Sequence, residues 1–235
     1  MKKMTMRNLA LIFANVLIAT SLLMPIPASA DFGVRLPVRY TMANSVHDFP
    51  DETIRFWREM GIKAKELGTT TALDEPGADG NSRSFNFPVD AVEISPLMKI
   101  LAGHAVGSAI SYSRSSASGH SVQLLLSNFS VDYVKQKVLA DATFSGRPTI
   151  RQLPVFDFQV ALPLSLHFNV PLTIIGTERL DNLRLTSEAK TVYKEALDLP
   201  ESAHHFLDNS FGSLTQKMSS RLRKDALPGK AYAPF

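Results

Sequence analysis

The most regular feature of the chain is a run of apolar side chains at every second position. Phe156, Phe158, Val160, Leu162, Leu164, Leu166, Phe168 and Val170 alternate with Asp157, Gln159, Ala161, Pro163, Ser165, His167 and Asn169. Successive side chains of an extended strand point to opposite sides, so this spacing predicts a strand with one apolar face. Unbroken, it would reach roughly 50 Å at about 3.3 Å per residue. A strand of that length must twist, and Pro163, which has no amide hydrogen, marks a bend or an edge.

Other stretches repeat the period. Phe32 to Tyr40 alternates, with Pro37 demoting it to an edge strand, and Phe85, Phe87, Val89 and Ala91 alternate again. Val122 to Phe129 and Val131 to Phe144 read as further strands, with short ones at Leu172–Ile175 and Leu180–Leu185. Three segments carry the helical period instead. Asp51 to Leu67 places Ile54, Trp57, Gly61, Ala64 and Leu67 on one stripe, with acidic residues at its start and Gly68 past its end. Thr186 or Ser187 caps a helix that runs to Leu197 before Pro200. Glu201 to Lys224 carries Leu207, Phe211, Leu214, Met218 and Leu222 as a single stripe. Ser95 to Ser111 fits either period, Thr69–Ser84 and Ser113–Gly119 read as loops, and residues 225–235 as a loose tail. The fold class expected is α+β: a long curved antiparallel β-sheet covered by two to three amphipathic helices, forming one domain over residues 31–235.

The first thirty residues follow another logic. Lys2, Lys3 and Arg7 form a basic start, Leu9–Leu23 is an uncharged apolar run, and Pro25 and Pro27 precede Ala28-Ser29-Ala30. That order is a secretory signal peptide, cleaved between Ala30 and Asp31, and the apolar run is shorter than the roughly twenty residues that span a bilayer. The expected location is therefore periplasmic or secreted. Charge reads differently once the leader is removed. The 25 Lys and Arg against 22 Asp and Glu become 22 of each sign without Lys2, Lys3 and Arg7, so the basic balance gives no reason to expect a nucleic-acid partner. The chain has no cysteine, which excludes thiol catalysis, disulfides and Cys-ligated metal centres.

Candidate chemistry is sparse. Gly119-His120-Ser121 begins like a nucleophile elbow, but Gln123 stands where the closing glycine belongs, and Gly103-His104-Ala105-Val106-Gly107 has alanine at the nucleophile position. None of the six histidines forms the helical His–Glu–His spacing of a zinc protease. Asp74 to Asn81 has the composition of a calcium loop without its ligand spacing. No catalytic residue, metal ligand or cofactor is assigned. What remains is the apolar architecture, which needs a cover: helices, a second sheet or a ligand. The reading is a non-enzymatic extracytoplasmic protein that binds an apolar or amphiphilic ligand such as a lipid in a sheet–helix groove. Phe156, Phe158, Leu162, Leu164, Leu166 and Phe168 would line one side, with Leu207, Phe211, Leu214 and Met218 opposite. The alternative is an envelope interaction or assembly factor with a protein partner or a membrane surface, and an enzyme with a non-contiguous site is third.

Overall fold

The chain builds almost everything from strands, as alternation along most of its length requires. The computed structural model describes residues 33–96, 99–115, 119–169 and 173–234. The expected signal peptide lies outside the described residues. In chain order the elements are β1 (Val34–Pro37), β2 (Thr41–Asp48), α1 (Asp51–Met60), β3 (Lys63–Gly68), β4 (Thr71–Ala72), β5 (Ser84–Pro88), β6 (Ala91–Ile94) and β7 (Ile100–Ser115). Then follow β8 (Ser121–Asp132), β9 (Lys137–Phe144), β10 (Ile150–Asn169), β11 (Thr173–Leu185), α2 (Ser187–Ala196), a 3₁₀ helix (Glu201–Asp208) and β12 (Ser213–Leu222). The strands form a single antiparallel sheet in the order β1-β6-β7-β8-β9-β10-β11-β12-β2-β5-β4, with β3 paired to the distal half of β7.

This sheet is creased. Gly107 on β7, Asn128 on β8, Gln152 on β10 and Asn182 on β11 have φ of 85°, 52°, 48° and 56°. Each sits at a register shift between neighbouring strands. An extra residue in one strand raises the local twist and bends the strand, so a row of bulges folds the whole sheet along a line. Side chains lock that line. The Asn128 carboxamide accepts from Gly107 N–H (3.1 Å) and donates to Asp141 Oδ2 (3.0 Å). Asp141 Oδ1 accepts from Gln152 N–H (2.9 Å), and Gln152 Nε2 donates to the Asn128 carbonyl (3.1 Å). The backbone groups that the bulges release are thereby satisfied.

Curling brings the two flanks of the sheet together. Between β5 and β6, Val89 N–H donates to the Ala43 carbonyl on β2 and Asp90 N–H to the His104 carbonyl on β7. The result is a curled half-barrel whose helical end is filled by α1, α2 and the 3₁₀ helix. A relay of ring contacts fills that end, running Trp57–Tyr112 (5.6 Å), Tyr112–Tyr193 (5.6 Å), Tyr193–Phe211 (6.2 Å) and Phe211–Phe156 (5.7 Å). Residues 225–234, expected to be loose, return along the sheet: Leu227 N–H donates to the Arg39 carbonyl, and the Asn128 carboxamide pairs with both Tyr232 N–H and its carbonyl.

The architecture corrects the expected sheet covered by amphipathic helices: the protein is mostly β, and its short helices fill an end of the curl. The longest expected helix is the clearest error. Residues 201–208 form a 3₁₀ helix, Gly212 turns with φ of 100°, and Ser213–Leu222 is β12. A side chain at Gly212 would meet the Asp48 carbonyl at 1.9 Å, so the chain turns here through glycine alone. The vacant place between β11 and β2 then decides the conformation, since pairing on both edges outweighs helical periodicity. Likewise α1 ends at Met60, where Gly61 takes the left-handed cap conformation (φ 67°), and the residues expected as its last turn form β3 on β7.

Asn128→Ala is expected to cost about 2–4 kcal/mol in chemical denaturation, because the bulge amides lose partners and alanine resists positive φ. Asn128→Gly should cost about 1 kcal/mol less, since glycine keeps the backbone at no steric penalty. Equal losses would show that the backbone conformation does not matter.

Candidate functional site

Inside the curl, beyond the aromatic relay, lies a cavity of about 60 Å³. Its walls come from β2, β5, β6, β7, β8, β9, β10, β11 and β12, so it exists only because the sheet closes on itself. Phe87, Val89, Phe129, Val138, Phe156 and Leu214 supply apolar wall, and His47, His104, Tyr133, Gln216 and Lys217 are among the polar residues along it. A space of this size holds a few waters or a short apolar segment, below the several hundred Å³ of a drug-sized pocket.

Three of these polar groups are already engaged. Tyr133 Oη donates to Glu178 Oε2 at 2.5 Å, and Glu178 is buried. Burial pushes the Glu178 carboxyl above its ordinary value, partly offset by that hydrogen bond. Burial, then the facing carboxylate, pushes the Tyr133 phenol well up. His104 Nε2 meets Glu93 Oε1 at 2.9 Å across the β6–β7 pair. His47 is buried, stacks on Phe49 at 3.8 Å and lies 2.8 Å from the Phe211 carbonyl through Nε2. Burial lowers its pKa from 6.5 to about 4, against the opposing pull of that carbonyl and of Asp48.

The ten residues expected to line a groove are dispersed. Phe156, Leu214 and Met218 do line the cavity. Phe158 is buried against Tyr133 (6.0 Å between rings), and Leu207 and Phe211 belong to the core at the helical end. Leu164 is half-buried, Leu162 and Leu166 are 59% and 52% exposed, and the backbone of Phe168 pairs with Ile174. The reason is again a bulge. Register shifts lie between Val160 and Leu162 and between Leu162 and Ser165. Leu162 therefore pairs with exposed Arg179, one position from buried Leu180 and Glu178, and so turns to the outer face. Pro163, with no amide to donate, sits inside the second shift. The residues that alternation did not single out, His104, Phe129, Tyr133 and Val138, lie on β7, on β8 and the turn after it, and on β9. Direct pairing of β7, β8 and β9 makes them neighbours, and the curl sets β2, β5 and β12 opposite them.

The remaining chemical candidates resolve into structure. Asp74 accepts from the Arg83 and Ser84 amides, and Asp79 from the Asn81 amide, so the acidic loop spends its carboxylates on its own backbone. His120 and Ser121 are exposed at the start of β8. Ser165 Oγ lies 2.9 Å from His167 Nε2, but both are exposed and only two residues apart on β10, with no third group orienting the ring. A second concavity, about 320 Å³ and open, lies on the outer face over Met42, Asn44, Ile175, Thr177, Lys217 and Arg221. No helix among the described residues is long and apolar enough to cross a membrane.

No family model and no curated protein matches the chain. Among solved structures it is similar to the C-terminal domain of HtaA from Corynebacterium glutamicum. The likeness has 9% sequence identity and a TM-score of 0.45 over 77% of this chain and 98% of that chain. At that level it bears on neither ligand nor mechanism.

His47 gives the site a pH signature. Between pH 6.5 and about 4 the unfolded chain binds a proton that the folded chain refuses. Stability is thus complete above pH 6.5 and falls as the pH drops toward 4, by roughly 3 kcal/mol from this group. His47→Phe should flatten the difference in unfolding free energy between pH 7 and pH 4.5; an unchanged slope would remove His47 as its source.

Proposed function

We propose that this chain is an exported binding module, without a catalytic role, that takes an apolar or amphiphilic ligand such as a lipid chain into the cavity of its curled sheet. The observation that carries this reading is the cavity itself: an apolar space walled by nine strands, with a few polar groups set among the apolar ones. The inner wall continues outward through Met218, which packs over Gly176, to the exposed Leu166 side chain. An acyl chain that enters along this path has an apolar surface for its length. The basic, apolar and small-residue order of residues 1–30 supports export, and a carrier outside the cytoplasm suits a ligand that water excludes.

Gly103 supplies the test. It lines the cavity, and a Cβ built on it meets nothing within 4 Å. Gly103→Leu fills the space without backbone strain, and should weaken binding of a fluorescent fatty acid by about tenfold or more while leaving the melting temperature in place. Equal affinity in the variant, or no binding by the wild-type chain, would defeat the proposal. The mass of the protein recovered from the cell envelope should match a chain beginning at Asp31.

A further inference from the structure

Beyond the cavity, the four strands β10, β11, β12 and β2 run on past the helical packing and carry an unusual surface. Tyr40, Met42, Leu162, Leu166, Ile174 and Leu222 are 58%, 41%, 59%, 52%, 41% and 75% exposed. Single exposed apolar residues are ordinary, but here five gather at one end of the sheet, with Leu162 set back along β10 in the row of Arg179 and Thr215. Both faces contribute. Leu166 pairs with Gly176, and with Met218 it marks the inner side, while Met42, Ser219 and Ile175 pair in one row on the outer side.

The charge at this end is one-sided. Lys217, Arg221 and Lys224 are exposed there, and half-buried Arg223 ties the end of β12 to the carbonyls of Thr41 and Ala43. Lys217 and Arg221 line the open outer groove together with Met42 and Ile175, and no acidic residue lines it. Glu178, the acidic residue in the adjoining part of β11, is buried and held by Tyr133. Asp181 is occupied by Arg179 at 2.7 Å, which leaves Asp225 as the nearest exposed acid in the chain after β12. Outside the leader the acidic and basic residues are balanced, so this end is a local excess of cation.

We propose that this strand end docks on an anionic lipid surface, its exposed apolar side chains entering the interfacial layer and Lys217, Arg221 and Lys224 meeting the headgroups. Apolar side chains ringed by cations bind such a surface by adding burial to Coulomb attraction, and long Lys and Arg stems let the charge reach headgroups while the stem stays apolar. A partner protein would have to supply both an apolar surface and several uncompensated acids, whereas an anionic bilayer offers both at once. The inference does not depend on the cavity reading.

Sedimentation of the protein without its leader, using vesicles of phosphatidylcholine with and without phosphatidylglycerol, tests it. The anionic vesicles should retain the protein, pure phosphatidylcholine much less, and raised salt should release it. Leu162→Asp/Leu166→Asp and Lys217→Glu/Arg221→Glu should each lower partitioning by about tenfold or more. These positions are exposed, so an unchanged melting temperature verifies folding. Gly103→Leu should bind vesicles as wild type does, which separates failure of the cavity reading from failure of this one. Absence of binding to the anionic vesicles, or binding unaffected by either pair, overturns the proposal. So does a wild-type dimer that the Leu162→Asp/Leu166→Asp variant dissociates, for the surface would then belong to a second copy.

Discussion

The structure depends on the crease held by Asn128, Asp141 and Gln152. A twelve-stranded antiparallel sheet left flat would expose two faces and need two covers. Four left-handed residues on β7, β8, β10 and β11 fold it sharply, and side-chain amides and a carboxylate satisfy the backbone groups that the bulges leave unpaired. On one side of the line the sheet packs on the helices. On the other it closes through the Val89–Asp90 corner around its own interior. The same carboxamide of Asn128 also anchors Tyr232, so the end of the chain braces the fold line.

The sequence showed strands where periodicity was strong: Val122–Phe129 and Phe156–Phe168 each lie within one strand, while Phe85–Ala91 divides at the Val89–Asp90 corner into the end of β5 and the start of β6. It misled where two signals competed. Leu207, Phe211, Leu214 and Met218 repeat as on a helix, yet Gly212 and the open edges of β11 and β2 select a strand, and pairing partners far away in sequence are invisible to a local pattern. The alternation of β10 likewise implied one continuous apolar face. Bulges on either side of Leu162 turn that side chain outward, and nothing in the run of apolar residues marks them except Pro163. Of the ten residues expected along a groove, Phe156, Leu214 and Met218 lie on the cavity wall, whereas His104, Tyr133 and Val138 are neighbours through the β7–β8–β9 pairing, which no local pattern reveals.

Two surfaces with different physical character result. The inner one is small and mainly apolar; burial keeps His47 neutral, and Tyr133 is paired with Glu178. The outer strand end is open, apolar and cationic. The proposed ligand binding rests on the first surface and the proposed lipid docking on the second.

Amide-resolved NMR during titration with dodecanoate below its micellar concentration addresses the enclosed cavity most directly. The largest shifts are expected at Gly103, His104, Tyr133 and Val138, on β7, β9 and the turn between β8 and β9 that line the cavity. Shifts absent from these amides, or confined to α2 and the helical end, would contradict the proposed binding.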